Sequence, residues 1–192
     1  MKRIVLGCAL SLAISTPALA ALKQGDNAPL FKTQASLGGK AFNFALQDAL
    51  KQGPVVVYFY PTAFGGGCSI QAHEFSEHHA QFAAAGASIV GVSLDDIGRL
   101  NEFSADPKYC ASKFPVASDT DGKIANSFDL AVNETTRGRK DNRGVTVDHG
   151  SIERTTFIVG RDGHIIATVG GLRPEENVLK SLEIVKNLQA PK

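Results

Sequence analysis

Val55-Val-Val-Tyr-Phe-Tyr-Pro-Thr-Ala-Phe-Gly-Gly-Gly-Cys68 is the run around which the chain is organised. Six successive β-branched or aromatic residues, Val55 to Tyr60, lie between Gly53-Pro54 and Pro61. An uninterrupted apolar run of that length fits a strand covered on both faces, as in a mostly parallel sheet. Pro61 ends it. From Ser69 to Ala85 the pattern becomes helical: Ala72, Phe75, His79 and Phe82 share one face, and Gly86 stands where a helix stops. Cys68 therefore falls at the N-terminal edge of the expected helix, where unpaired backbone N–H groups and the helix dipole favour an anion. A thiol there is expected to ionise more readily than the ordinary value of about 8.5, and the thiolate is the nucleophile. Gly65, Gly66 and Gly67 lack a Cβ, so the loop can fold tightly and turn N–H groups toward the sulfur or a bound oxyanion. A structural cysteine after a flexible turn is the plainer alternative; strand, glycines and helix start together favour a reactive one.

The whole chain has 192 residues, 43% of them hydrophobic, which suits one globular domain with a sizeable core. Residues 1–20 have the anatomy of a secretory signal: Lys2 and Arg3, an apolar run from Ile4 to Ile14, then Pro17 and Ala18-Leu19-Ala20 before an expected cut at Ala21. That run is too short to span a bilayer. The domain expected to remain is 21–192. Removing Lys2 and Arg3 from the 20 Lys and Arg leaves 18 against 19 Asp and Glu, a net charge of −1. Such a balance gives no footprint for nucleic acid or an anionic membrane. Export also removes Cys8 and leaves Cys68 and Cys110 in an oxidising setting, with a bacterial periplasm the expected compartment. Two cysteines make one staple or one redox couple, not a disulfide scaffold.

Outward from the central run, Leu37-Gly-Gly-Lys40 predicts a hairpin turn and Phe44 to Lys51 a short helix. Ser88 to Ser93 is a further apolar strand, with Asp95 or Asp96 placed to cap the helix after it. Strand, helix, strand makes a βαβ unit, whose right-handed crossover implies parallel strands. Pro107 interrupts the helical pattern of residues 97–103, and Phe114-Pro-Val-Ala-Ser118 precedes a turn and a short helix over 123–128. Residues 132–151 show almost no apolar pattern and carry four positive charges between Arg137 and Arg143, which predicts a solvated surface loop, with a docking patch as the lesser alternative. Two strands around Arg161-Asp-Gly163 form an antiparallel hairpin, and Pro174, Glu175 and Glu176 start a last helix with Val178, Leu179, Leu182, Val185 and Leu188 on one face. The expected fold is α/β, a central mixed sheet with helices on both faces.

Neighbours decide what a thiolate attacks. Cys68-Ser-Ile-Gln71 lacks the second cysteine of a Cys-x-x-Cys exchange site. A cysteine hydrolase needs a histidine base, and none of the five histidines has a spacing that nominates it. His73 and His78-His79 read as partly exposed helix residues. No strong metal-ligand pattern occurs either, and no cofactor is expected.

The chain resembles the thioredoxin-fold peroxiredoxins, particularly their Q-type or bacterioferritin-comigratory-protein-like branch. The likeness is carried by Gly25-Asp-Asn-Ala-Pro29, Tyr58 through Ala72, Gly91-Val-Ser-Leu-Asp95, Phe114 to Asp119 and Glu153-Arg-Thr-Thr-Phe157, in the family's order and at similar spacings. By that resemblance Cys68 is the peroxidatic cysteine, which attacks a hydroperoxide and becomes a sulfenic acid. Pro61 opens the family's Pro-x-x-x-Thr-x-x-Cys motif and would shield the thiolate, and Arg154 matches the active-site arginine. Gly65 occupies the threonine position, so the hydroxyl that contacts thiolate and peroxide is absent. His73 stands where many Q-type members carry a second cysteine. Cys110 resembles the alternative placement of a resolving cysteine, on a helix before Phe-Pro-Val-Ala-Ser-Asp; a structural staple or inert thiol is the competing interpretation. The resemblance implies a thiol peroxidase recycled by a thioredoxin-like protein. An exported thiol-disulfide oxidoreductase and a non-catalytic binding module on the same fold are the alternatives.

Overall fold

The computed structural model describes residues 21–188. The expected signal segment, with Cys8, lies outside the described residues. The described chain opens with a hairpin of Lys32–Leu37 (β1) and Lys40–Ala45 (β2). Gly38 and Gly39 form its turn at φ +56° and +80°, a left-handed pair that side chains resist. Leu46–Leu50 (α1) follows, then Val55–Phe59 (β3), all of it buried. Next come Gly66–Ala84 (α2), Ser88–Ser93 (β4), Ile97–Ala105 (α3), Val116–Ser118 (β5) and Lys123–Ser127 (α4). A two-residue ribbon of Val132–Asn133 (β6) and Ser151–Ile152 (β7) brackets the long loop. Thr155–Val159 (β8), Ile165–Gly170 (β9) and Pro174–Asn187 (α5) complete the order.

Seven strands form one sheet in the order β2-β1-β5-β4-β3-β8-β9. The β3–β4 and β4–β5 pairs are parallel, joined by α2 and α3, while β1–β2, β1–β5, β3–β8 and β8–β9 are antiparallel. The sheet is therefore mixed, as expected. Along β3 the side chains alternate between two cores, as strand geometry dictates. Val56 and Tyr58 pack with Phe75 and Phe82 of α2, Phe103 of α3 and Val178 of α5. Val55, Val57 and Phe59 pack with Leu46 and Leu50 of α1 and Ile124 of α4. Helices thus cover both faces, which is why the central run carries no polar alternation.

One predicted face is narrower than expected. On α5, Val178, Leu182 and Val185 are buried, but Leu179 and Leu188 remain 49% and 41% exposed. The inward positions beside the stripe are filled instead by Asn177 and Ser181, both fully buried. Asn177 accepts from Gln71 Nε2 at 2.9 Å and Thr156 Oγ1 at 2.6 Å, and donates to the Val169 carbonyl at 3.0 Å. Such a satisfied buried amide costs little and fixes the helix in register with α2 and β8.

Candidate active site

The loop after β3 delivers Cys68 to the first turn of α2. That helix begins at Gly66, three residues earlier than the apolar pattern shows, with Gly65 as its N-cap residue and Cys68 inside its first turn. The tight bend is made at Phe64, φ 60°, not at a glycine. What the glycines provide is proximity. A Cβ on Gly67 would stand 3.0 Å from Arg154 Nη2 and 3.3 Å from Pro174 Cγ, so that position has no room for a side chain unless Arg154 retreats. A Cβ on Gly65 would lie 3.1 Å from Thr62 Cγ2 and 3.4 Å from Cys68 Sγ.

Arg154, between β7 and β8, points into the same place. Its Nη2 donates to Cys68 Sγ at 3.7 Å, and its Nη1 donates to Gln71 Oε1. Gln71 is fully buried and held in turn by Asn177, so α2, α5 and the β7–β8 connection together orient the guanidinium. The sequence match for Arg154 is thereby given a geometry. Pro61, half-buried at the end of β3, forms part of the rim of the cleft above the sulfur.

The acidity of Cys68 departs from expectation. At 4% exposure the sulfur has lost most of its water, and burial pushes the thiol up. The Arg154 charge, the Thr62 backbone N–H and the Arg154 hydrogen bond pull it back, Asp95 adds a small upward push, and the net direction is upward. A place at a helix start favours the anion only when it does not also bury it.

A cleft of about 370 Å³ opens over the sulfur. Thr136, Arg139, Lys140, Val147 and Gly150 form one wall, so part of the segment expected to be a solvated surface loop is a side of the site. With Arg154, that lining carries three cations and no carboxylate. Electrostatically it favours an anion, or a negative charge developing on a departing oxygen.

Under the loop lies a polar hub that no sequence pattern marks. Asp96 caps α3 by accepting from the Arg99 N–H at 2.9 Å, whereas Asp95 turns inward and is fully buried. Its carboxylate accepts from the Ala63 N–H (2.7 Å), Thr62 Oγ1 (3.0 Å), Ser93 Oγ (2.7 Å), Arg99 Nε (2.7 Å) and His149 Nε2 (2.9 Å). Burial raises this carboxyl, but the donors outweigh it and hold it below the usual range. Nothing in spacing nominated His149, which is 54 positions from its partner.

Cys110 is not on a helix. Asp106, the residue before Pro107, adopts an extended conformation and ends α3, so Cys110 lies in the turns of 107–113, followed by left-handed Ala111 (φ 49°) and Ser112 (φ 58°). It is fully buried, and burial, with Asp106 adding to it, pushes its thiol well above the ordinary value. Both cysteines are free thiols, with no disulfide among the described residues. His73 is exposed on α2, and His78 and His79 are half-buried there, in line with the sequence. Among the described residues no group of His, Cys, Asp and Glu is placed to hold a metal, and no helix is long and apolar enough to cross a membrane.

The chain is similar to known proteins in both sequence and fold. The model of the AhpC/TSA family matches residues 24–168, most of the chain. The chain belongs to that family. Peroxiredoxin Bcp of Bacillus subtilis is 27% identical over 134 residues, covering 70% of this chain and 78% of the other. The chloroplastic peroxiredoxin Q of rice (Oryza sativa subsp. japonica) is 30% identical over 187 residues, covering 90% and 77%. The crystal structure of peroxidoxin BcpB from Mycobacterium tuberculosis superposes with a TM-score of 0.72 at 25% identity, over 88% of this chain and 99% of that one. This AhpC/TSA member is a peroxiredoxin of the Q-type or bacterioferritin-comigratory-protein-like branch, with the thioredoxin-like fold expected of it, and a thiol-dependent peroxidase. An exchange enzyme or a binding module is not favoured.

Proposed function

We propose that Cys68 is the peroxidatic residue of this peroxidase and that Arg154 activates it. The observation that carries this is the guanidinium 3.7 Å from the sulfur, at the base of a cleft with a cationic lining. In the first step the Cys68 thiolate attacks the near oxygen of a hydroperoxide. An S–O bond forms, the O–O bond breaks, and the departing oxygen takes a proton and leaves as water or an alcohol. Cys68 is left as a sulfenic acid. Arg154 favours the thiolate and stabilises negative charge on the departing oxygen. Pro61 shields the sulfur on the rim side. At Gly65 the family's hydroxyl is missing, so hydrogen-bond donation to the sulfur falls to Arg154 and the Thr62 N–H.

Cys110 is the resolving thiol in this scheme. Its sulfur attacks Cys68 Sγ, an S–S bond forms, and the sulfenic oxygen leaves as water. Both sulfurs are buried, so a bond of about 2 Å between them requires the first turn of α2 to unwind and the 107–113 segment to open. A thioredoxin-like dithiol then reduces the disulfide and restores both thiols. Residues 1–20 would direct the protein to the bacterial periplasm, where such a cycle removes hydrogen peroxide or organic hydroperoxides.

Mixing the reduced protein with one equivalent of hydrogen peroxide in a stopped-flow instrument, and mapping the products by mass spectrometry, tests the scheme. The expected products are a Cys68–Cys110 disulfide in the wild type and a Cys68 sulfenic acid in Cys110→Ser. Oxidation no faster than that of a free thiol overturns it.

A further inference from the structure

The His149 ring is held between two groups that only accept. Nε2 lies 2.9 Å from Asp95 Oδ1, and Nδ1 lies 2.6 Å from the Gly150 carbonyl oxygen. A neutral imidazole has one N–H and one lone pair, so it can satisfy one of these oxygens and must oppose the other. Only the doubly protonated ring donates to both. We propose that His149 is a positioning residue for the peroxidase reaction: as an imidazolium it pins the cleft wall to the carboxylate that holds Thr62 and Ala63, and offsets the negative charge Asp95 places near the Cys68 sulfur.

Three observations support this. His149 immediately precedes Gly150, a cleft-lining residue, and the wall's other lining positions, Thr136 to Val147, belong to the same bracketed loop. The loop's far limb is tied separately, through Arg99 Nη2 to Asp141 Oδ2 at 2.8 Å and the Asn142 N–H to the Phe64 carbonyl at 3.0 Å. His149 is thus the tether of the near limb. The ion cluster is the second observation. Asp95, Asp141 and Glu102 face Arg99 and Arg143, and the cluster balances only when His149 adds a third positive charge. Third, Asp95 is among the groups that push the Cys68 thiol up, so a cation on Asp95 acts on the sulfur through it.

The surroundings of the ring favour the charged form. Asp148 adjoins it on its own loop, Asp95 faces it from the β4–α3 corner with Arg99 behind, and Asp96, Asp121, Glu134 and Arg137 line the clefts on either side. Burial draws the ring's pKa down, but the Asp95 hydrogen bond and charge, the Gly150 carbonyl and Asp148 outweigh it, and the net direction is upward. The tether is therefore complete below the ordinary histidine value of about 6.5 and is lost as pH rises through the higher folded value.

The inference rests on Cys68 being the reacting thiol, and the tests separate the two. In the wild-type protein, an NMR titration of the His149 Cε1–H resonance, assigned through its own backbone, is expected to show a midpoint above about 6.5. A midpoint at or below that value overturns the proposal and says nothing about Cys68. In stopped flow, the rate constant for Cys68 oxidation by hydrogen peroxide is expected to be about fivefold lower in His149→Gln at pH 6, with the ratio shrinking toward one by pH 9 as the wild type loses its own imidazolium. A ratio that stays constant with pH marks a merely structural histidine, and identical rates throughout mark an idle one; either overturns the proposal. Peroxide reduction that survives Cys68→Ser would instead refute the assignment of Cys68.

Discussion

Cys68 and Cys110 belong to one hydrophobic cluster on one side of the sheet, both nearly or wholly out of reach of water, and they differ in what meets the sulfur. Around Cys68 a guanidinium and the Thr62 N–H oppose the effect of burial. Around Cys110 nothing does, and Asp106 adds to it. Desolvation alone makes a cysteine inert, whatever its distance from a helix start. A buried thiol is drawn back toward its anion where a cation stands beside it, and the half-buried Arg154 is held in that place by Gln71, which Asn177 holds in turn. In the folded structure one thiol is met by a cation and a donor, while the other is met by neither.

This contrast breaks most completely at the sulfur itself. Cys68→Ser is expected to abolish peroxide-driven oxidation down to the rate of a free thiol, read as loss of titratable thiol in stopped flow; fast residual oxidation would transfer the role to Cys110. Cys110→Ser should leave the first oxidation of Cys68 within about twofold of wild type while stopping turnover with a thioredoxin-type dithiol, because resolution follows the peroxide step. Equal slowing of both steps would show that the two environments are not independent. Arg154→Ala should lower the Cys68 rate constant by about 100-fold, equivalent to about 2.7 kcal/mol of transition-state stabilisation, and shift the pH–rate profile to higher pH. An unshifted profile would mean that the guanidinium does not set the ionisation of Cys68.

Gly65→Thr sharpens the comparison from the other direction. The new Cβ would touch Thr62 within a few tenths of an ångström of comfort and stand 3.4 Å from Cys68 Sγ, where a hydroxyl can donate. The expected result is a rate about tenfold higher with thermal stability nearly unchanged, since threonine and glycine are similar at an N-cap. A slower variant would show that the loop has adapted to the glycine. The smallest effect concerns stability. Both thiols have folded values raised above the unfolded one, so their contribution is present below about pH 8.5 and is lost as pH rises through the folded values. The free energy of urea unfolding of the reduced protein should therefore be lower at pH 10 than at pH 8, with a smaller loss in Cys110→Ser, whose missing thiol is the more strongly raised.

The sheet was legible because its strands announce themselves locally. Val55 to Phe59 must be covered on both faces, Gly38-Gly39 closes a hairpin, and Pro174 opens a helix. Cys68 was nominated by its own strand, glycines and helix start, whereas Arg154 was nominated only as a matched block, since no local pattern brings together residues 86 positions apart. Three features escaped. Cys110 left its expected helix because Asp106-Pro107 ends α3. The 137–149 loop looked merely solvated because its order comes from ion pairs with Asp95, Arg99 and Glu102, which leave no hydrophobic period in the sequence. His149 gave no signal for the same reason: a buried polar partner is found by topology.

The left-handed Phe64 carries a further consequence for motion. Its ring is buried edge-on against Phe103 and Tyr109, with centroids 5.0 and 5.6 Å apart, beneath the Arg143 guanidinium at 3.3 Å. Tyr109 is the neighbour of Cys110, and Phe64 stands four residues before Cys68. One aromatic wedge therefore fastens the two cysteine-bearing segments to each other, and any excursion that lifts Tyr109 removes support from the backbone turn before α2. The amides of 62–69 and 107–113 should then exchange with solvent as one cooperative unit, so that both cysteine-bearing segments unlock in a single event.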